Sequence, residues 1–168
     1  MYNFEKECQN NVKGKNKVSN TTKKKTNSSF LNDLSGQWYL ERTYDNGSKV
    51  IGTANVVKKT NSEYEYSEEG VMTLSDGKSL VCSRKYIYKP IPNGFAIYFF
   101  ETPSKLFQNV VLKNNNGTLC AQATHFCVND IYASSYSFFP DDHFEITHVV
   151  RGPKKTYTSK AIFSKNKV

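Results

Sequence analysis

Within residues 121–132, AQATHFCVNDIY, a histidine, a cysteine and an aspartate fall inside six positions. These residue types can ligate a metal, form a thiolate–imidazole nucleophile, or place polar groups in a pocket wall. An extended chain decides among them by where it points each side chain. If 119–127 is a strand, Ala121, Ala123, His125 and Cys127 share one face, and Gln122, Thr124 and Phe126 the other. His125 and Cys127 then lie roughly 6.5–7 Å apart. That spacing reaches one metal ion, but zinc needs three or four protein ligands. Asp130, His143, His148 and Cys120 supply no ligand spacing, and Cys120 has the wrong parity. No metal site is expected. The same separation is too long for direct proton transfer, so a Cys127–His125 nucleophile is not expected either.

What remains is a pocket wall. Two small alanines followed by His125 and Cys127 leave room on an inward face, and Asn129 and Asp130 are good turn residues before the next strand. A tight reversal there sets His125 or Cys127 across from Tyr132. A Tyr132–His125–Asp130 hydrogen-bonded set is the arrangement that acid–base chemistry would use. A structural network satisfying buried polar groups is the alternative.

Three further stretches carry candidate chemistry. RGPKK (151–155) breaks a strand at Gly152–Pro153 and gathers Arg151, Lys154 and Lys155 at one corner, where a carboxylate or phosphate could bind. A solvated loop is the competing reading. In YSEEG (66–70), Glu68 and Glu69 are candidates to bridge to Arg84, Lys85 or Arg151. Adjacent strand residues face opposite ways, so these two carboxylates are not expected to share a substrate. YIYKPIPNGFAIYFF (86–100), which includes Tyr98, is the most aromatic segment, suited to core packing or to stacking a planar ligand.

The elements positioning these residues are strands. Aromatic content is 14%, and after SSFLNDLSG no ten-residue segment shows helical periodicity. That stretch reads as one helical turn capped by Ser29, with Phe30, Leu31 and Leu34 on one side and Gly36 as terminator. Strand-like runs follow at 37–44, 50–58, 62–69, 71–75, 79–89, 95–101, 106–112, 119–127, 130–139, 143–151 and 155–164, with DNGS, SDGK, KPIPNG and KNNNG as turn chemistry. So many short strands in sequence imply an antiparallel meander, and closure into an up-and-down barrel removes its exposed edges. The fold expected is a single all-β barrel of about eight to ten strands over 29–168, with space for one small ligand.

Residues 1–28 form a Lys- and Asn-rich tail, expected to be disordered. Of the net charge of +8, seven lysines against Glu5 and Glu7 place +5 in this tail. The basic character therefore says little about the folded part, and a nucleic-acid surface there is not expected. The tail is a candidate to dock on an acidic partner, and Lys23–Lys25 could serve as a nuclear signal. The chain opens without an apolar run, no stretch approaches a membrane span, and the four cysteines lack framework spacing; a cytoplasmic protein with reduced thiols is expected.

LSGQWYLER (34–42) carries Gly36-x-Trp38 at the entry of the first strand. With YSEEG, HFCVNDIY (125–132) and RGPKK in that order, it resembles an uncharacterised calycin-like domain family, related in fold to lipocalins, over about residues 31–164. The resemblance implies a barrel with Trp38 plugging one end and a late basic residue, Arg151 or Lys160, packed on it. Gly36, Trp38, Glu69, Gly152 and Pro153 are its structural signature. A non-enzymatic binding protein follows as the expectation, without a cofactor, holding a fatty acid, tetrapyrrole or isoprenoid type of ligand. His125, Cys127, Tyr132, Arg84, Arg151, Lys154 and Tyr98 are the expected contacts. The alternative is an enzyme using the same cavity, with His125 as general acid/base and Asp130 and Tyr132 beside it.

Overall fold

A computed structural model describes residues 27–165 of the chain. Helix α1 (Asn27–Leu34) comes first. It begins two residues before the expected cap, so Ser29 lies inside it; helix ends are the least determined boundaries in a sequence. Apart from Asn27 and Ser28, the expected tail, with its Lys23–Lys25 signal, lies outside the described residues.

Eleven strands follow: β1 (Gly36–Tyr44), β2 (Lys49–Thr60), β3 (Glu63–Thr73), β4 (Ser79–Ile91), β5 (Gly94–Phe99), β6 (Leu106–Val111), β7 (Lys113–Asn115), β8 (Thr118–Cys127), β9 (Asp130–Phe138), β10 (His143–Arg151) and β11 (Thr156–Ser164). Every neighbouring pair is antiparallel, in the order β6-β5-β4-β3-β2-β1-β11-β10-β9-β8-β7. This is a meander whose first and last long strands pair, and it curls into a nearly closed barrel. The count corrects the eight to ten expected. Lys113–Asn115, part of a presumed turn, forms its own short ladder with β8, while 62–75, expected as two strands, runs as one.

The turn chemistry placed the hairpins correctly. Gly47, Gly77 and Gly117 take φ of 83°, 85° and 94°, and Asn93 and Asn116 are also left-handed. Gly70 of the YSEEG stretch faces Gly52 across β2 and β3; a Cβ at Gly52 would sit 2.1 Å from the Glu69 carbonyl oxygen. Only a pair of glycines lets the two backbones approach there.

Alternation along the strands divides the interior into two zones. At the α1 end, Leu31, Leu34, Trp38, Phe95, Phe138, Phe144 and Phe163 form an apolar plug. Burying side chains of this size contributes about 1.5–3 kcal/mol each, before the entropy of ordering them is subtracted. Trp38 donates its indole N–H to the Leu34 carbonyl at 2.9 Å and meets Phe144 edge-on at 4.8 Å. The basic residue over its ring is Lys165, with Nζ 3.8 Å from the centroid and bonded to the Ser35 carbonyl. This corrects the assignment to Arg151 or Lys160. Arg151 is exposed at the far end of β10, and Lys160 points outward to Glu145 at 3.0 Å. Lys165→Ala is expected to cost about 0.5–2 kcal/mol in urea unfolding, and Lys160→Ala less than about 0.5 kcal/mol.

The barrel's seam lies between β6 and β8. The register shifts between Ile97 and Tyr98 opposite β6, and this bulge turns Phe107 and Gln108 inward together. The Gln108 amide donates to the Ala123 carbonyl (3.3 Å), the Tyr132 carbonyl (3.2 Å) and Ser134 Oγ (2.8 Å). A side chain thus does across the seam what a backbone ladder does elsewhere.

Candidate ligand cavity

Away from the plug, the inward positions become polar. On β1, Trp38, Leu40, Arg42 and Tyr44 share the inner face, and on β3 so do Tyr64, Tyr66 and Glu68. β4 contributes Arg84 and Tyr86, and β10 contributes His148 after Phe144 and Ile146. These positions surround a cavity of about 280 Å³ at the end opposite α1. A smaller space of about 20 Å³ lies against Arg42 and Glu68, and Arg84, Tyr86, Phe107 and His148 border both.

The wall is aromatic. Tyr44, Tyr86, Phe99, Phe107, Tyr132 and Tyr157 line the cavity, together with His125. Tyr86 stacks on Phe107 at 5.6 Å, and the His125 ring sits 5.0 Å from Phe107 and 5.6 Å from Phe99. Such contacts fix the rings as flat surfaces. Among the described residues, no Asp or Glu lines this cavity.

Its floor is ionic. Arg42 and Glu68 form a bidentate pair, both oxygens at 2.8 Å, with both side chains buried. The Tyr66 hydroxyl adds a very short bond to Glu68 Oε1. Burial works to raise the Glu68 carboxyl, but the Arg42 hydrogen bonds and charge outweigh it, with help from Arg84, and hold it down to about 2. Arg42 Nε is buried and has no hydrogen-bond partner among the described residues.

Arg84 is different. It stands opposite Glu68 in the β3–β4 register, yet the carboxylate is already taken by Arg42 and Tyr66. Among the described residues the Arg84 guanidinium makes no hydrogen bond or close ion pair; Glu68 acts on it only through space. The side chain is half-buried and lines the cavity.

His148 is held neutral, its imidazole pushed down to about 3 by burial and then by the Arg84 and Arg42 charges. Its Nδ1 lies 2.7 Å from Ser134 Oγ. The same oxygen lies 2.8 Å from the Gln108 amide nitrogen, which ties His148 to the seam.

Of the residues expected in the site, Arg84, His125, Cys127 and Tyr132 line the cavity. Tyr132 pairs with His125 across the hairpin, as the tight turn requires, with Val128 at φ 54°. Asp130 does not reach His125. It forms an ion pair with Lys155 at 2.9 Å, and Lys155 also donates to the Tyr132 hydroxyl at 2.5 Å. The Tyr–His–Asp set is thus replaced by an Asp130–Lys155–Tyr132 bridge across the cavity rim, with His125 outside it. Gly152 makes room for the bridge, since a Cβ there would lie 1.8 Å from Asp130 Oδ1. Arg151 and Lys154 are exposed and do not line the cavity, and Pro153 belongs to the same corner. Tyr98 lies on the outer face, with Lys89 Nζ 5.1 Å from its ring. Glu69 also points outward and is exposed, leaving Glu68 as the interior carboxylate.

Sequence reasoning passed over Arg42, Gln108, Ser134 and, as a cavity residue, His148. Parity alone places Arg42 with Trp38 and His148 with Ile146. Gln108 had no such signal, because a bulge reverses its facing. Among the described residues no three His, Cys, Asp or Glu side chains converge as metal ligands, and no helix is long and apolar enough to cross a membrane.

Comparison with known proteins supports the barrel and supplies a family. The S-type phycobiliprotein lyase CPES from Guillardia theta is similar in structure, with a TM-score of 0.52 and 9% identity over 86% of this chain and 95% of that one. A redesigned β-barrel, mFAP1, solved bound to DFHBI, gives a TM-score of 0.41 and 13% identity over 83% of this chain and 100% of its own. No curated protein matches. The profile described as "Family of unknown function (DUF6314)" matches residues 34–165, from the strand that carries Trp38 to the lysine that covers it, and the chain belongs to that family.

Proposed function

We propose that this barrel is a small-molecule binding protein that takes a planar, largely apolar compound edge-first into the cavity, with its polar end toward Arg84. The observation that carries this reading is a cavity of about 280 Å³ walled by aromatic rings around one unpartnered guanidinium. Mostly apolar pockets with a few convergent polar groups are where small ligands bind. The volume lies just under the roughly 300–1,000 Å³ range typical of such sites. It suits a molecule of one or two rings, and narrows the fatty acid, tetrapyrrole and isoprenoid classes to their smallest members. Nothing positions His125 for proton transfer, because Asp130 and Tyr132 are committed to Lys155.

Cys127 is exposed and free at the cavity rim, which provides a test. Wild-type protein is expected to bind 2-naphthol saturably, one molecule per chain, by fluorescence titration. Blocking Cys127 with benzyl methanethiosulfonate in an otherwise cysteine-free variant is expected to weaken this at least tenfold, and reduction to restore it. Binding that ignores the blocked thiol, or no binding at all, would overturn the reading.

A further inference from the structure

The charges inside the barrel do not balance. Below the rim, Glu68 is the one carboxylate on the inner wall among the described residues, and it faces two guanidiniums, Arg42 and Arg84. Arg42 holds both of its oxygens at 2.8 Å. His148 contributes no charge, because burial and the two guanidiniums keep its imidazole neutral. The interior therefore carries one uncompensated positive charge. An unpaired buried charge is strongly unfavourable, and a protein that keeps one either pairs it with something or forfeits stability.

Its location points to what pairs it. Arg84 borders both the main cavity and the smaller space around the Arg42–Glu68 pair. His148 borders the same two spaces. Arg84 presents a planar fork of donors, with the neutral His148 imidazole beside it, beneath an aromatic shaft that contains no carboxylate among the described residues. A guanidinium fork matches the two oxygens of a carboxylate, and charge-assisted bonds of this kind are about twice as strong as neutral ones. A neutral ligand would leave the charge unpaired; a dianion would leave an excess of its own.

We infer that the cavity is built for a monoanion, an aromatic carboxylate whose ring lies against the aromatic wall that Tyr86, Phe107 and His125 form and whose carboxylate binds the Arg84 guanidinium beside His148. This rests on the ligand-binding reading above and specifies its substrate class. Tyr157, Tyr44 and Ser159 also line the cavity and add hydroxyls near its polar side. Arg84 then has a cost in the empty protein and a benefit only in the loaded one, which is how binding sites trade stability for function.

Two compounds of the same shape test this: 2-naphthoate and its neutral amide, 2-naphthamide, titrated calorimetrically into wild type, Arg84→Met and Arg84→Gln. Wild type is expected to prefer the carboxylate by at least tenfold, and both variants to lose that preference while still binding the amide. With no ligand present, Arg84→Met is expected to melt a few degrees higher than wild type, because it removes the unpaired charge. Equal binding of the two compounds by wild type would overturn the monoanion site and leave the ligand-binding reading standing. If neither compound binds wild type up to its solubility, the ligand-binding reading fails and this inference with it. A lower melting point for both ligand-free variants would make Arg84 a structural residue and likewise overturn the inference.

Discussion

Glu68→Gln is expected to lower the stability of the protein by about 3–5 kcal/mol, the usual cost of removing one partner from a buried ion pair. The substitution keeps volume and shape but takes away the one negative charge that the described residues place below the cavity rim. Arg42, nearly without solvent contact, would retain its charge with a neutral amide for a partner. Arg84 would lose the through-space attraction that offsets its burial. The Tyr66 hydroxyl would exchange a charged acceptor for a neutral one. In urea, with a slope of about 2 kcal/mol per molar for a domain of this size, the unfolding midpoint should fall by roughly 2 M. Glu69→Gln, one residue along and on the outer face, is expected to change stability by less than about 0.5 kcal/mol. Adding Arg42→Met to Glu68→Gln should recover part of the loss, because the unpaired cation goes too. Equal effects at positions 68 and 69 would mean the pair does not hold the interior together.

The contrast between these neighbours shows which part of the molecule is written locally. Strand alternation separates Glu68 from Glu69, Trp38 from Tyr39 and His125 from Phe126 without any tertiary information, and Asn–Gly and Asp–Gly turns fix where the chain reverses. Hence the meander, its hairpins and the inner face of most strands were legible, including the His125–Tyr132 juxtaposition. Closure was not. The seam depends on a bulge that turns Phe107 and Gln108 inward together, and a bulge is a response to the partner strand rather than a property of LFQNVV itself. The same holds for Lys165, which reaches Trp38 only because β11 pairs with β1.

The candidate site was legible residue by residue and illegible as a set. Arg84 was recognisable as a ligand contact and Glu68 as one of two candidates to bridge to it, but the charge balance depends on Arg42, 26 positions from Glu68, and that pairing is decided by which strands become second neighbours in the sheet. Asp130 shows the reverse case. Its proximity to His125 in sequence suggested a catalytic set, whereas the RGPKK corner, remote in sequence, captures it through Lys155. Charged side chains choose partners by three-dimensional distance, so short-range motifs overstate local sets.

Acidification is expected to destabilise this protein in two stages, the first set by His148. In the folded state burial, then the Arg84 and Arg42 charges, push its imidazole from the ordinary 6.5 down to about 3, with Glu68 opposing and Ser134 occupying Nδ1. The unfolded chain takes up this proton near pH 6.5 and the folded protein only near pH 3, so in that window unfolding binds a proton. Stability is then fully present above pH 6.5 and falls as pH drops, by about 1.4 kcal/mol per pH unit. Glu68 acts with the same sign over a lower range. Its carboxyl is held down to about 2 against an ordinary 4.5, so its contribution is complete above pH 4.5 and is lost between there and pH 2. The urea midpoint should therefore begin to fall near pH 6.5 and fall about twice as steeply below pH 4.5. His148→Gln keeps a hydrogen-bond partner for the Ser134 hydroxyl but cannot take up a proton, so its midpoint should decline less steeply than that of wild type between pH 6.5 and 4.5 and then follow the Glu68 descent. Comparing the two proteins cancels every titrating group they share. Parallel wild-type and His148→Gln curves through that upper window would show that His148 is not the group kept neutral by the guanidiniums.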